Sequence, residues 1–421
     1  MKRMLLLAMA VVSVTVAVPV GCGKPHAQTP PAEQAASAST RSETRGDRTA
    51  YPFTNPDDGK RYELVMTPLY FQGQPLRYIE HVFDFENNRQ TRQVLAGLRQ
   101  YRNVVLVSDD LGDSWAQTQQ FNFHVGQAFS TAEGSRLLWD EGGNRLRRFN
   151  GQWEEQPANC PARFPWHGAQ GIGQHKNTLM FAEYWTDDSV SEGHVLRSTD
   201  DGETWKVAFI VPSHGSTEPK AGQVRHFHTL QPDPFFPGHW YLSSGDASAE
   251  CRLWLTKDDG ETWSEVTDPA PEGSDLQNVH RHTSIQFFPD RLLWATDGAY
   301  RQKTGDASFV EAKRGEPLDV KALSVPIANA VRSLVATDIG VVASTENRYG
   351  RKVAEYGSAG AEMVLLTNAG TQTYAGMDSD GAGGFTYSLA SRQAVEGVFL
   401  SFVHHEKSLS NLARWTLRQL K

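Results

Sequence analysis

The sequence has few cysteines and no excess of basic residues. Its 421 residues include three cysteines, and 41 Lys and Arg residues stand against 49 Asp and Glu residues, for a formal net charge of -8 at pH 7. Binding to nucleic acid needs clustered Lys and Arg to offset the phosphate charge, so this balance argues against a nucleic-acid partner. An acidic substrate would need a local basic pocket.

Long apolar runs are also scarce, apart from one at the N-terminus. Residues 1–21 combine Lys2 and Arg3 with an apolar run that is too short for a comfortable membrane span, and small residues follow it. This layout is typical of an export signal peptide. The segment VPVGC resembles a bacterial lipoprotein signal that ends at Cys22, although Pro19 stands where a leucine is usual.

The lipoprotein resemblance implies that Cys22 becomes the lipidated first residue of the mature protein. Gly23 rather than Asp follows Cys22, which for this class of signal implies an outer-membrane lipoprotein that faces the periplasm or the cell surface. The lipid anchor would then be the only contact with the membrane. Secretion without lipidation is the alternative.

The rest of the chain divides into a tether and a folded part. Residues 22–50 are rich in Ala, Pro, Ser, Thr and Gln and have no apolar period, which predicts a flexible tether. Residues 51–421 are enough for one large β architecture. Within them, Cys160 and Cys251 could form a disulfide in an oxidising compartment or stay two separately buried thiols, and the sequence leaves both open.

Helical periodicity is nearly absent, with residues 89–100 as the one short exception, whereas a turn motif is repeated three times. The copies are SDDLGDSW at 108–115, STDDGETW at 198–205 and TKDDGETW at 256–263. Each places a hydroxyl, an Asp, a Gly and a Trp at fixed offsets. Short polar side chains bond nearby backbone groups and Gly takes a positive φ, as in a hairpin turn. The motif resembles the Asp-box, or BNR, repeat of sialidase-like β-propellers.

The spacing of the repeats predicts the number of blades. The first two motifs begin at 108 and 198 and the third at 256, so a blade with an imperfect motif is expected between the first two. Asn150-Gly151 supplies its hairpin turn and Trp153 its tryptophan. Units of roughly 50 residues then give an all-β, seven-bladed β-propeller with Asp-box hairpins, with a six-bladed sialidase-like propeller as the alternative.

Strand direction in such a propeller predicts which residues meet on the axis. Inner strands begin at one face, and second strands end there, whereas the Asp-box turns lie on the opposite face. The segments FHVGQ, WHGAQG, HFHTLQ and HRHTSIQ begin four successive inner strands and place one histidine each at equivalent positions: His124, His167, His228 and His282. Second strands end in the acids Asp140, Glu141, Glu183, Asp246, Asp297 and Glu346.

These imidazoles and carboxylates predict either a divalent-metal site or a general base near neutral pH, with arginines as carboxylate clamps. The alternative is structural, with histidines that plug the channel and acids that cap strand ends. The candidate catalytic residues are His167, His228, His282, Arg225, Arg281, Tyr184, Asp246 and Asp297.

A second resemblance concerns the segment QVRHFH. Its Gln-x-x-His-x-His spacing is similar to the metal-binding stretch of propeller-fold oligogalacturonate lyases, which implies Gln223, His226 and His228 as ligands of zinc or manganese. β-Elimination from a uronate needs a cation to neutralise the carboxylate and a His or Tyr to take the adjacent proton. Metal binding is expected to weaken as the pH falls through about 6.5, the pKa of an unperturbed histidine.

The sequence therefore predicts an envelope-anchored propeller that binds or cleaves an acidic extracellular polysaccharide or oligosaccharide. The reaction would be lyase-like, or glycoside-hydrolase-like with Asp246 and Asp297 as the two carboxylates. Sialidase activity is not expected, because the nearest match to the sialidase Arg-Ile-Pro stretch, at Arg163 to Pro165, follows the first motif instead of preceding it. A non-catalytic scaffold that docks another envelope protein or complex is the competing class.

Overall fold

The computed structural model describes residues 48–141, 145–149, 153–155, 170–185, 190–214, 222–246, 250–266, 280–297, 307–315, 318–327, 330–346, 362–367, 370–376, 385–405 and 408–421. Within these ranges every element of regular secondary structure is a β-strand. None of the described residues belongs to a helix with the length and apolarity that a membrane crossing requires.

The strands follow one another closely, as the alternating apolar pattern of the sequence indicates. In chain order they are β1 (Thr49–Thr54), β2 (Arg61–Pro68), β3 (Tyr70–Phe71), β4 (Gln74–Asp84), β5 (Arg89–Leu98), β6 (Val104–Ser108), β7 (Ala116–Gln120), β8 (Val125–Ser130), β9 (Arg136–Asp140), β10 (Leu146–Phe149), β11 (Trp153–Glu155), β12 (Ile172–His175), β13 (Thr178–Ala182), β14 (Glu192–Ser198), β15 (Lys206–Pro212), β16 (Phe227–Pro232), β17 (Trp240–Ser244), β18 (Leu253–Thr256), β19 (Ser264–Glu265), β20 (His282–Phe287), β21 (Arg291–Thr296), β22 (Ala307–Lys313), β23 (Asp319–Ile327), β24 (Ala330–Thr337), β25 (Gly340–Glu346), β26 (Glu362–Thr367), β27 (Gly370–Gly376), β28 (Phe385–Leu389), β29 (Val398–His405) and β30 (Ser408–Gln419).

These strands form a seven-bladed β-propeller, which confirms the predicted fold over the six-bladed alternative. Blades 1 to 7 are β4–β7, β8–β11, β12–β15, β16–β19, β20–β23, β24–β27, and β28–β30 completed by β2. Successive strands of each blade pair antiparallel, and β3 adds to the inner edge of blade 1. Bridges between Glu346 and Thr386 and between Ala336 and Gln393 join blades 6 and 7.

The ring is closed by pairing the start of the chain with its end. Strand β2 pairs with β30 from Tyr62 opposite Gln419 to Pro68 opposite Ala413, and β1 adds outside β2. Blade 7 is therefore built from both ends of the domain. Strand β1 begins at Thr49, next to the predicted domain start at residue 51.

Residues 89–98 form strand β5, so the suggested short helical stretch is wrong. Val94 to Leu98 are buried between β4 and β6, which pair with β5 on both sides. A run of ten residues has little helical stability of its own in water, and the two neighbouring strands satisfy its backbone instead.

Tryptophans on the second strands fill the space between neighbouring blades. Trp139, Trp240 and Trp294 lie on β9, β17 and β21 and are fully buried. The cluster around Trp240 combines Met180 of blade 3 with Phe227 of blade 4, so the apolar core is continuous from one blade to the next.

The three repeated turns connect the third and fourth strands of blades 1, 3 and 4 and share one hydrogen-bond pattern. In the turn at 198–205, the Gly202 N–H donates to Ser198 Oγ (2.9 Å), which donates to Asp200 Oδ1 (2.7 Å). The Thr204 N–H and hydroxyl also donate to the Asp200 carboxylate (3.0 and 2.5 Å). The turns at 108–115 and 256–263 repeat these bonds. Asp200 therefore has a structural role, as predicted.

Each turn is also fixed to the blade before it. The acid that follows the glycine pairs with an arginine on the third strand of the preceding blade: Asp113 with Arg414, Glu203 with Arg148 and Glu261 with Arg197. The glycine packs closely as well, because a Cβ on Gly202 would lie 2.9 Å from Leu137 Cδ2 of blade 2. The motif thus joins blades in addition to closing a hairpin.

Candidate functional site

Irregular strand starts place polar side chains at one end of the axis. We call this end the entry face and define it by the first residues of the inner strands β16, β20 and β24. The register shifts at the start of β16, between Phe227 and Thr229, and at the start of β24, between Val331 and Ser333. Such a bulge re-aims the side chain of the extra residue. The residues concerned are His228 and Arg332.

The His226 and His228 imidazoles face each other at the entry face. Their Nε2 atoms are 3.1 Å apart, and His226 Nδ1 lies 2.9 Å from the Trp185 carbonyl oxygen. Because a carbonyl oxygen only accepts, His226 Nδ1 carries the proton and its Nε2 presents a lone pair. Burial lowers the pKa of His226 to about 3, well below the value of about 6.5 expected from the sequence. The ring is therefore uncharged at neutral pH.

Asp246 completes this group. It follows β17, and its carboxylate oxygens lie 3.7 Å from the Nε2 atoms of His226 and His228. Burial alone would raise the pKa of Asp246, but the neighbouring His228, His226 and Arg281 outweigh it and hold the pKa well below its usual range.

His226, His228 and Asp246 can hold a metal ion. One ligand atom from each residue lies within 4.8 Å of the others. The donor set suits a divalent metal, and the hydrogen bond from His226 Nδ1 to a backbone carbonyl is the orientation usual for a metal-ligating histidine.

Arginines and aspartates alternate across three blades beside the histidines. Asp246 contacts Arg225 (2.9 Å) and Arg281 (3.0 Å). Asp297, at the end of β21, contacts the same Arg281 Nη2 (3.2 Å) and Arg332 (3.4 Å). The resulting order is Arg225, Asp246, Arg281, Asp297, Arg332, which we call the arginine–aspartate row. Counted by themselves, these five side chains carry three positive and two negative charges.

Tyr184 faces the same space from blade 3. Its ring centroid lies 4.4 Å from that of His226. Burial raises the pKa of Tyr184, and the charges of Arg332, Asp246, Arg225 and Asp297 all act on its hydroxyl group. The phenol therefore stays protonated at neutral pH.

His282 begins β20 in blade 5 and is fully buried. Its ring stacks on Trp294 at a centroid distance of 4.9 Å, and neither ring nitrogen has a hydrogen-bond partner among the described residues. Burial and the neighbouring His280 and His228 lower the pKa of His282 well below its usual value. A buried polar group without a partner costs about 1–3 kcal/mol of stability.

The structure brings together most of the candidate residues. Seven lie in contact around Asp246 and the arginine–aspartate row: Tyr184, Arg225, His226, His228, Asp246, Arg281 and Asp297. His282 lies beside them, close enough for His228 to affect its pKa.

The contacts of this group do not include Gln223 or His124. Gln223 Oε1 is buried and makes no hydrogen bond to a described residue. The next residue, Val224, forms a β-bridge with Ser213. His124 is exposed and lies 3.5 Å from Glu141 in blade 2. His167 falls outside the described ranges. Cys251 is buried, and Cys160, with which it could form a disulfide, also falls outside them.

Two histidine–glutamate pairs behind the entry face were not foreseen. His214 Nε2 lies 2.6 Å from Glu250 Oε2, which also accepts the Arg225 N–H (2.7 Å). Glu183 directly follows β13, as expected for a strand-end acid, and its Oε2 lies 2.8 Å from His194 Nδ1. No repeat signal marks His214 or Glu250, because both lie in connections between strands.

Comparison with protein-family models and with curated proteins finds no match. Solved structures of propeller-fold proteins are similar. An oligogalacturonate lyase from Vibrio parahaemolyticus is 10% identical with a TM-score of 0.50, covering 89% of this chain and 98% of that one. Virginiamycin B lyase from Staphylococcus aureus is 12% identical with a TM-score of 0.47, covering 84% of this chain and 99% of that one. YCF48 from Cyanidioschyzon merolae is 10% identical with a TM-score of 0.49, covering 83% of this chain and 98% of that one. At such identities the similarity concerns the fold alone.

Proposed function

We propose that the entry face binds an acidic extracellular glycan and cleaves it by β-elimination next to a uronate carboxylate. The observation that carries this proposal is the arginine–aspartate row beside the His226, His228 and Asp246 group. A protein with a formal charge of -8 concentrates three arginines at one point of its axis. Such a local excess of cations suits an anionic ligand.

The residues of the row have different roles in this proposal. Arg225 is the most accessible arginine, with 35% of its side chain exposed, and is placed to bind a substrate carboxylate. Arg281 is 1% exposed and holds the two aspartates. A zinc or manganese ion held by His226, His228 and Asp246 would withdraw charge from the carboxylate as the adjacent proton leaves.

Proton transfer needs a donor and an acceptor. Because burial raises the pKa of Tyr184, its phenol is a donor to the leaving oxygen and not the base expected from the sequence. A histidine is the proton acceptor that the sequence predicts, and His167, which falls outside the described ranges, is one candidate.

Elimination is better supported than glycoside hydrolysis. A glycosidase needs one carboxylic acid with a raised pKa to protonate the leaving group. The pKa of Asp246 is held well below its usual range, and Asp297 shares the Arg281 guanidinium with it. The Asp246 carboxyl therefore stays ionised and is unsuited to act as the acid.

A non-catalytic scaffold is less well supported. A docking scaffold should present a broad apolar rim. The side chains of the arginine–aspartate row and of the His226, His228 and Asp246 group are charged or polar. The large apolar side chains exposed within the described ranges are Tyr101, the β15 residues Val207 and Ile210, and the adjacent Phe235 and Phe236.

Screening for products would test the elimination. Purified protein with manganese or zinc is incubated with polygalacturonate, other uronate polymers and a sialylated polymer, and the ultraviolet absorbance of the unsaturated uronate product is followed. We expect product from a uronate polymer, and none after Arg225→Met. Absence of product from every uronate polymer, or full activity of Arg225→Met, would count against the proposal.

Metal binding is tested separately by calorimetry with manganese and zinc at pH 7.5. His228→Ala should weaken binding by about 100-fold or more, since it removes a ligand that the other two cannot replace. His124→Ala is the matched control, because His124 is an exposed histidine at the equivalent position of blade 2. Equal binding by both variants would remove His228 from the metal site.

We also propose that the chain is an Asp-box propeller exported as an outer-membrane lipoprotein. The three equivalent turns support the first part, and the segment before Cys22 supports the second. Cys22→Ser should move the protein from membranes to the soluble fraction. If the variant fractionates with membranes as the parent does, lipidation at Cys22 is wrong.

A further inference from the structure

Glu250 lies behind the entry face, in the connection between β17 and β18, and is 1% exposed. Its Oε2 atom accepts the Arg225 N–H (2.7 Å) and lies 2.6 Å from His214 Nε2. Because a carboxylate oxygen accepts, the His214 Nε2 atom carries the proton. A single carboxylate oxygen thus joins the residues that follow blade 3 to those that begin blade 4.

The main chain of Glu250 is fixed to the strand that leads to Asp246. Ser244, the last residue of β17, donates its hydroxyl to the Glu250 carbonyl oxygen (2.6 Å). The Ser244 N–H also donates to the Arg252 carbonyl oxygen (3.1 Å). The Glu250 carboxylate therefore has a defined position relative to the strand after which Asp246 comes.

Arg225 is held at two points by this same connection. Its N–H donates to Glu250, and its Nη1 lies 2.9 Å from Asp246 Oδ2. The next residue, His226, places its Nε2 3.7 Å from the same Asp246 oxygen. A backbone N–H that loses its acceptor costs free energy unless it finds another one. Loss of Glu250 Oε2 should therefore shift the Arg225 backbone, and the adjacent imidazole with it.

We propose that Glu250, oriented by His214, is a positioning residue of the entry face. Its carboxylate fixes the backbone at Arg225 and so sets the approach of Arg225 and His226 to Asp246. The inference rests on the proposed function through the metal group of His226, His228 and Asp246. Glu250 is not one of these three candidate ligands and acts through its neighbours.

Metal affinity measures this role without any need for activity. Calorimetry on the whole protein at pH 7.5, with manganese and with zinc, compares the parent with Glu250→Leu, which has a similar size but no acceptor. The Kd of the variant should rise about 10- to 100-fold, as is usual when the partner that orients a metal ligand is lost. Glu250→Gln keeps an oxygen that can accept both N–H groups and should restore most of the affinity.

Glu80→Leu is the matched control. Glu80 is also a buried glutamate, 3% exposed, and its Oε1 accepts the Ser130 N–H (2.6 Å). Ser130 is the last residue of the inner strand β8, at the opposite end of the axis from the entry face. Both leucine variants lose a buried acceptor and should melt at a lower temperature than the parent. Only Glu250→Leu should weaken metal binding, and equal weakening by both variants would overturn the inference.

His214→Phe covers the case in which Glu250→Leu does not fold. It keeps an aromatic ring and removes the Nε2–H donor, so the metal Kd should rise by about 2- to 10-fold, the contribution of one hydrogen bond. The inference is wrong if His214→Phe and folded Glu250→Leu bind both ions like the parent, or if Glu250→Gln binds as weakly as Glu250→Leu. A parent protein that binds neither ion would instead overturn the metal group itself, and this inference with it.

Discussion

Arg281 Nη2 lies 3.0 Å from Asp246 Oδ1 although the two residues are on neighbouring blades and 35 positions apart. The same nitrogen lies 3.2 Å from Asp297 Oδ2. One buried guanidinium therefore balances two carboxylates, each of which also contacts a further arginine. The row depends on its buried members, because removing Arg281 leaves two carboxylates without their shared cation.

Arg281 and Arg225 should differ sharply in their effect on stability. Arg281→Met leaves two carboxylates without their shared cation and should lower the free energy of unfolding by about 3–5 kcal/mol. Arg225→Met removes a partly exposed ion pair and should cost at most about 1 kcal/mol. Urea denaturation at pH 7.5 compares them, and similar losses for both variants would contradict the buried row.

His282→Phe should stabilise the protein. The substitution keeps an aromatic ring on Trp294 and removes two ring nitrogens without partners among the described residues, so the free energy of unfolding should rise by about 1–3 kcal/mol. Activity on a uronate polymer should fall if His282 serves the site. A destabilised variant would mean that the imidazole has a partner such as an internal water molecule.

Stability should fall as the pH falls from about 6.5 towards 4. Burial lowers the pKa of His81 to about 4, so the folded state keeps this ring neutral while the unfolded chain protonates it. The unfolded state therefore binds more protons in this window, and each such histidine removes about 1.4 kcal/mol per pH unit. Denaturation at several pH values gives the unfolding free energy as a function of pH. For His81→Gln this dependence should be weaker by the equivalent of about one proton. An unchanged slope would argue against a neutral His81.

Gly202→Val should destabilise more than Gly134→Val. Both glycines have a positive φ, 82° and 90°, so both substitutions strain the backbone by about 1–3 kcal/mol. Only at Gly202 does the added Cβ also approach Leu137, whereas Gly134 has open space. Melting temperatures of the two variants separate strain from the contact between blades. Equal losses would mean that the turn does not pack on blade 2.

Strand polarity explains why so much of the entry face was predictable. Once the three turns are assigned to the third and fourth strands, the starts of inner strands and ends of second strands must share a face. Arg225, His228 and Asp246 follow from that rule together with their positions in the sequence. The position of a residue along a repeated blade is enough to assign its face.

Burial depth and local register were not predictable. The bulges that re-aim His228 and Arg332 depend on how each inner strand meets its second strand, for which the sequence has no local signal. The low pKa of His226 follows from complete burial, which a residue count along the strand cannot show. The choice of Arg281 as the shared cation of two aspartates likewise depends on side-chain reach.

Closure of the ring by β2 and β30 has a consequence for biosynthesis. Ribosomes make β2 long before β30, so blade 7 stays incomplete until β30 has been translated. Contacts between such distant segments form slowly. Nascent chains therefore expose the edge of β2 that later pairs with β30, and truncation before β30 would prevent blade 7 from assembling.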